Sequence, residues 1–387
     1  MATASFEGFG LRVVVASDKF KGTLTSAEVA EAVGVGVRRV CPDATVISVP
    51  VADGGDGTQS AAVAAGDNLF TVTASGPTGE PVRTGYARRG KTAVVELADV
   101  SGLVRLPGGV SAPLTATSYG TGEVIAAAVD AGCTRIILGI GGSASTDGGR
   151  GLIDALAGSS SELSGNNSAL SDENVPEIGS LAALRERLAD VQVVVACDVD
   201  NPLTGPRGAA VVYGPQKGAT PAQVAVLDDA LGKWADLVAR ETGTDLRDVP
   251  GAGAAGGVGF AAIALLGAEL RPGIDLVLEM VRFSEQLAGV DLVVTGEGAL
   301  DEQTLHGKAV AGVAAAARGV PVVAVCGVNR LAPEQLREIG VAAAYALTDV
   351  EPDVRRCIAE PRPLLEALGE RIAVEHLTMT RRAKGIA

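Results

Sequence analysis

Four times along this chain an apolar, β-branched run opens into a loop of glycine, small hydroxyls and carboxylates, and a helical pattern follows. The four are VVVASDKFKGTLTSAE from Val13, VPVADGGDGT from Val49, IILGIGGSASTDGG from Ile136 and LVVTGEGALDEQTLHGK from Leu292. Short buried-strand runs alternating with helices build parallel sheets covered by helices. Such folds place their ligands in loops at the carboxyl ends of the strands. Glycine lets backbone N–H groups wrap an anion with no Cβ in the way. Carboxylates beside such a cradle suit Mg²⁺ or a substrate hydroxyl better than bare phosphate. The combination points to phosphoryl transfer.

The pattern also sets the domain plan. Runs at 13–16 and 46–51 read as strands, and Thr25 with Glu28 forms a capping box before Val29, Val33, Val37 and Val40 at helical spacing. Between 70 and 97 the chain changes to short alternating segments broken by Gly-Pro-Thr-Gly and Arg-Gly-Lys, the signature of antiparallel strands in a second domain. A helix at 123–131 stops at Gly132, strands follow at 135–138 and 191–196, and Thr220-Pro-Ala-Gln223 opens a long helix. From Leu292 the βα alternation returns, with a closing helix at 363–375. At 387 residues the chain exceeds one hydrophobic core. The expected fold is α/β with two domains. Residues 1–75 plus 285–387 form a flavodoxin- or Rossmann-like parallel sheet, 76–284 an inserted mixed α/β domain, and the active site lies in the cleft between them. The Ser/Asn-rich stretch 158–180 reads as a mobile loop.

Composition excludes several functions. A net charge of -14 with no basic cluster argues against a nucleic-acid groove. Two histidines, His306 and His376, argue against a His-rich zinc site. Five cysteines (Cys41, Cys133, Cys197, Cys326 and Cys357) stand far apart with no C-x-x-C, the pattern of reduced intracellular core thiols. Cys197, although beside Asp198, is expected in the core. With no apolar run of transmembrane length and no export signal in MATASFEGFG, the expectation is a cytoplasmic protein without membrane partners.

The glycine loops are not equivalent. GAGAAG at 251–256 matches a dinucleotide fingerprint by letter, but the polar segment before it is no strand, so its glycines serve close packing or backbone approach to a ligand. GIGGSA at 139–144 follows a strand yet lacks the later acidic strand end. It reads as a phosphate nest of Gly141 and Gly142 with hydroxyls from Ser143, Ser145 and Thr146, or else as a tight turn. No Walker A motif is present. Lys308, after His306-Gly307, is either an ammonium at a helix start suited to phosphate or a solvated surface lysine. Carboxylates come in sets past strand ends: Asp53 with Asp56, Asp198 with Asp200, and Glu297 with Asp301, while Asp18 and Asp147 stand alone. Any one of them could be a cap or turn residue. Three sets together fit metal binding and proton removal from an attacking hydroxyl.

Seven motifs in order resemble the type I glycerate kinase family: SDKFKGTLTSAEVAEA, VPVADGGDGT, TSYGTGE, GIGGSASTDGG, ACDVDNPLTGPRGAAVVYGPQKGA, GAGAAGGVGFA and TGEGALDEQTLHGK. The resemblance implies two α/β domains and ATP- and Mg²⁺-dependent conversion of D-glycerate to 2-phosphoglycerate. It aligns Asp18, Lys19, Lys21, Asp53, Gly54, Gly55, Asp56, Ser143, Ser145, Asp147, Asp198, Asn201, Lys217, Glu297, Asp301, Gln303 and Lys308 with family motifs. Two departures stand out: Ala299 replaces an arginine common in the family, and 158–180 does not match the family pattern.

The roles assigned are physical. Asp198 or Asp53 takes the C2 hydroxyl proton, and Asp200, Glu297 and Asp301 hold Mg²⁺. Lys21, Lys217 and Lys308 hold the glycerate carboxylate or the ATP phosphates. Asp18, Lys19, Gly54, Gly55, Asn201 and Gln303 complete the substrate and phosphate contacts. The alternatives are phosphorylation at C3, a nicotinamide-dependent dehydrogenase using GIGGSA or GAGAAG, and a nucleotide-binding module without chemistry. Oligomeric state is not readable from the sequence.

Overall fold

The computed structural model describes residues 10–55, 57–158, 178–306 and 308–384. Asp56, Gly307 and most of the Ser/Asn-rich stretch (159–177) lie outside the described residues. Among the described residues eleven strands occur: β1 (Arg12–Ser17), β2 (Thr45–Ser48), β3 (Asn68–Ser75), β4 (Pro81–Arg89), β5 (Thr92–Glu96), β6 (Arg135–Gly139), β7 (Gln192–Ala196), β8 (Glu269–Arg271), β9 (Leu292–Leu300), β10 (Val322–Asn329) and β11 (Ala343–Ala346). The chain divides into two compact units, Met1–Asp53 with Ile274–Ala387, and Gly54–Gly273. The sequence reading drew these borders near 75 and 285. β3 falls in the second unit because it pairs with β4 along its whole length.

In the first unit the strands lie in the order β11-β10-β9-β1-β2, all parallel. Counted within this sheet alone, that is the 2-1-3-4-5 order of a flavodoxin-like fold, built from both ends of the chain. β1 is buried from Val13 to Ser17, as befits a parallel strand covered on both faces. Val13, Val15, Leu292, Val294, Val323 and Val325 share one core with Val29, Val33 and Val37 of the helix Ser26–Val40. Leu365, Leu368 and Ile372 of the helix Pro361–Ile372 complete it. The Thr25–Glu28 capping box is formed, with the Thr25 N–H donating to Glu28 at 2.8 Å.

The second unit holds a six-stranded mixed sheet, β3-β4-β5-β6-β7-β8. β3, β4 and β5 are antiparallel, whereas β5 to β8 run parallel. Glu96, Gly139 and Ala196 lie in register at the carboxyl ends of β5, β6 and β7. The motif TSYGTGE runs from the residues before Tyr119 into the helix Tyr119–Asp130, which starts one turn earlier than its apolar spacing indicated. Thr220 and Gln223 form the expected box at the start of Pro221–Thr242.

The GAGAAG segment packs against the third glycine loop. Ala255, Gly256 and Gly257 adopt left-handed φ values of 53°, 69° and 95°. Gly256 O accepts the Gly148 N–H at 3.0 Å, and a Cβ on Gly256 would stand 2.1 Å from Ser145 O. Its glycines thus serve backbone-to-backbone packing, not a dinucleotide. Gly256→Ala should cost on the order of 3 kcal/mol, from left-handed strain and overlap with a rigid carbonyl. A urea titration of the variant checks this, and an unchanged midpoint would refute the packing role.

All five cysteines are free. Four are buried and Cys197 is half-buried, its Sγ 3.3 Å from Val199 O. Among the described residues, no helix is long and apolar enough to cross a membrane.

Candidate active site

In the first unit the site follows from strand order. β1 and β9 are neighbours whose connections leave in opposite directions, which opens a crevice at their carboxyl ends. Asp18 follows β1 directly, and its N–H donates to Gly296 O of β9 at 2.9 Å. Its Oδ1 accepts the Lys19 N–H at 2.7 Å. Glu297 is the next residue of β9, and Asp53 lies within the loop after β2. Burial first, then the charge of Asp53, push Asp18 up to about 7 against the Lys19 contacts, with Glu297 adding to the rise. Burial likewise raises Glu297, opposed by Thr304 and Lys308 and aided by Asp301 and Asp53. Asp18, Asp53 and Glu297 therefore form one electrostatic set, although the sequence placed Asp18 alone.

Asp301, Gln303 and Lys308 follow on the same loop. Asp301 Oδ1 accepts the Gln303 N–H at 2.9 Å, so one of its oxygens caps the turn Glu302–His306. Lys308 Nζ donates to Gln303 Oε1 at 2.6 Å. Lys21 is exposed and Lys19 half-buried. Thr304 escaped the sequence reading. It is 1% exposed, and its hydroxyl donates to Glu297 Oε1 at 2.6 Å. The available signal was its place three residues after a capping acid.

In the second unit the loop carrying Gly54 and Gly55 lies over the carboxyl edge of β5, β6 and β7. A Cβ on Gly54, whose φ is 87°, would stand 2.3 Å from Gly273 Cα and 2.9 Å from Ala196 Cβ. Asp198, exposed after β7, accepts the Gly273 N–H at 2.9 Å. Glu96, which the sequence reading missed, is buried at the end of β5. It accepts the Gly57 N–H at 2.8 Å and the Gln59 N–H at 3.0 Å. An acid ending a buried run is the same signal that selected the other sets, but here no glycine loop drew attention to it.

A second internal carboxylate organises the third glycine loop. Asp147, 2% exposed, accepts from Ser118 N and Oγ at 2.8 Å each, Gly149 N at 3.1 Å, and Thr117 Oγ1 and Gly151 N at 3.3 Å. The amides of Gly57, Gly149 and Gly151 are thus taken by the protein's own anions. Lys217 is turned inward as well. Its Nζ donates to Ser143 Oγ at 2.8 Å and Ser145 O at 2.5 Å. Burial brings its pKa down to about 7, with Asp147 opposing. Ser143 and Ser145 are buried, whereas Gly141 is half-buried and Gly142 exposed on the loop's outer turn. Trp234 Nε1 donates to Gly148 O at 3.1 Å, holding the far side.

Two of the proposed residues, Asp200 and Asn201, make contacts with Arg207 and Tyr213. Asp200 is exposed with both oxygens facing Arg207 Nη2, at 3.2 and 3.1 Å. Asn201 accepts from Tyr213 at 2.5 Å and donates to Arg207 O at 2.8 Å, which ties its own loop. Among the described residues, no three His, Cys, Asp or Glu side chains gather as a metal cage. Mg²⁺ needs none: it is held by one or two carboxylates together with substrate phosphates. The hard oxygens of Glu297, in a set of mutually repelling acids, fit it, whereas Asp200 already faces a cation.

A flavodoxin-like sheet with acids at its strand-order reversal, and a second α/β unit with glycine loops at its strand ends, place the chain among α/β proteins whose ligand loops lie at strand carboxyl ends. A model of the glycerate kinase family matches residues 13–377, and the chain belongs to that family. It is 44% identical over 344 residues to a glycerate kinase of Bacillus subtilis, covering 87% of this chain and 90% of that one. It is 43% identical over 324 residues to the glycerate 2-kinase of Escherichia coli, covering 82% and 85%. A crystal structure named as a glycerate kinase 2 from Salmonella typhimurium LT2 superposes with a TM-score of 0.79 at 38% identity, over 97% of this chain and all of that one.

Proposed function

We propose that this protein transfers the γ-phosphoryl group of ATP to the C2 hydroxyl of D-glycerate in the cytoplasm, giving 2-phosphoglycerate and ADP. The observation that carries the chemistry is the burial of Asp18 at the carboxyl end of β1, where it feels the charges of Asp53 and Glu297. The E. coli relative named a 2-kinase supports C2 over C3.

Phosphoryl transfer asks the protein mainly for positioning and charge neutralisation. A base near pH 7 suits removal of the hydroxyl proton. Asp18 meets that requirement through its surroundings, so we assign it the proton, with Asp53 setting its affinity. Asp198, bonded to the Gly273 amide, is assigned to orienting a substrate hydroxyl. Glu297, with the second oxygen of Asp301, would hold Mg²⁺, which would supply charge neutralisation to the phosphoryl oxygens. Lys19, Lys21 and Lys308 offset anionic charge in an acidic chain. Gly54, Gly55, Gly141 and Gly142 offer main-chain contacts to phosphate, while Ser143, Ser145 and Lys217 brace the loop from inside.

A coupled assay for ADP with D-glycerate and Mg·ATP should show turnover, and phosphorus NMR of the product should show a 2-phosphate. Absence of turnover would sink the proposal, and a 3-phosphate would move the reacting hydroxyl to C3.

A further inference from the structure

Thr304 holds its hydroxyl in a geometry with one outcome for the proton. The Asp301 N–H donates to its Oγ1 at 3.0 Å, and the Thr304 N–H donates to Asp301 O at 3.0 Å. Asp301 also accepts from Gln303, so acid and threonine close a reciprocal cap around the turn Glu302–His306. A threonine hydroxyl has a single hydrogen to give. With the amide of Asp301 on its acceptor side, that hydrogen points to Glu297 Oε1, 2.6 Å away. An O–H to carboxylate bond of this length is strong and orienting. At 1% exposure Thr304 is screened from bulk solvent.

We propose that Thr304 is a positioning residue that fixes the Glu297 carboxylate in the orientation in which it meets the divalent cation. Without the hydroxyl, Glu297 regains rotation about its side chain. The inference rests on the assignment of Glu297 to the metal, and the test separates the two. Mn²⁺ binding to nucleotide-free protein is read by the loss of the free-ion EPR signal.

Glu297→Gln should weaken Mn²⁺ at least about tenfold. Thr304→Val and Thr304→Ala, with folding checked by thermal melting, should each weaken it about fivefold, and Thr304→Ser should bind like the parent. If threonine acts on the metal through Glu297 and not through its bond to the Asp301 amide, the Glu297→Gln/Thr304→Val double variant should bind no more weakly than Glu297→Gln alone. Parent-like Mn²⁺ affinity in Thr304→Val or Thr304→Ala, while Glu297→Gln is weakened, overturns the role of Thr304 and leaves the metal assignment standing. Additive losses in the double variant also overturn it. Unchanged binding in Glu297→Gln removes the metal assignment and this inference with it.

Discussion

Asp18→Asn lowers kcat by about 10³-fold while leaving KM for glycerate within a few-fold, the pattern of a lost base. The amide keeps the shape and the bond to the Lys19 N–H but cannot accept a proton. The parent enzyme needs Asp18 ionised, and its affinity for the proton is raised to about 7. kcat/KM should therefore fall about tenfold per pH unit below 7, since the protonated acid is inactive. Asp53→Asn tests the cause. Removing that like charge lowers the Asp18 pKa, so the acid limb moves to lower pH while activity survives. If Asp53 were the base, the same change would abolish turnover. Stability separates catalysis from unfolding. A folded pKa near 7 against an unfolded 3.8 means the neutral acid is favoured on folding. That stabilisation is present below 3.8 and lost as pH rises through 7. Asp18→Asn, always neutral, should melt higher than the parent at pH 8 and equally at pH 3.5. Activity within tenfold of the parent would show that the proton goes elsewhere.

Asp147→Ala destabilises the second unit by about 3 kcal/mol or more, an effect larger than most surface changes produce. Its carboxylate meets three backbone amides and two hydroxyls in a buried setting. Removing it strands those donors and leaves Lys217 and Arg150 without the negative charge that both feel. Trp234 is the single tryptophan of the chain and bonds to Gly148, next to Asp147. Its fluorescence therefore reports the loop directly. The variant should show a shifted emission maximum and a lower urea midpoint. Asp147→Asn, which keeps most of the shape, should fall between the two. Parent-like emission and midpoint would mean the loop stands without its internal anion.

Much of the fold was legible because its signals are local. Val13 to Ala16 could be read as a buried strand from composition, and the boxes at Thr25 and Thr220 from spacing. Their physics involves residues a few positions apart. The acids at 18, 53 and 297 were visible for the same reason, each following an apolar run. Their grouping was not, since charges coupled across 279 positions leave no mark on neighbouring letters. Glu96 and Thr304 were missed because their importance comes from what they bond to.

The glycine loops divide the two kinds of information most clearly. From the letters alone, a run such as GIGGSASTDGG establishes that backbone amides are available to an anion, because glycine leaves them accessible and sets no side chain in the way. Which anion takes them was decided by tertiary structure. Packing brought Glu96 to the Gly57 amide and Asp147 to those of Gly149 and Gly151, and drew the Lys217 ammonium inward to Ser143. The reason is desolvation: a buried donor or charge needs a partner from within the protein, and only the folded arrangement determines which residue is near enough to supply it.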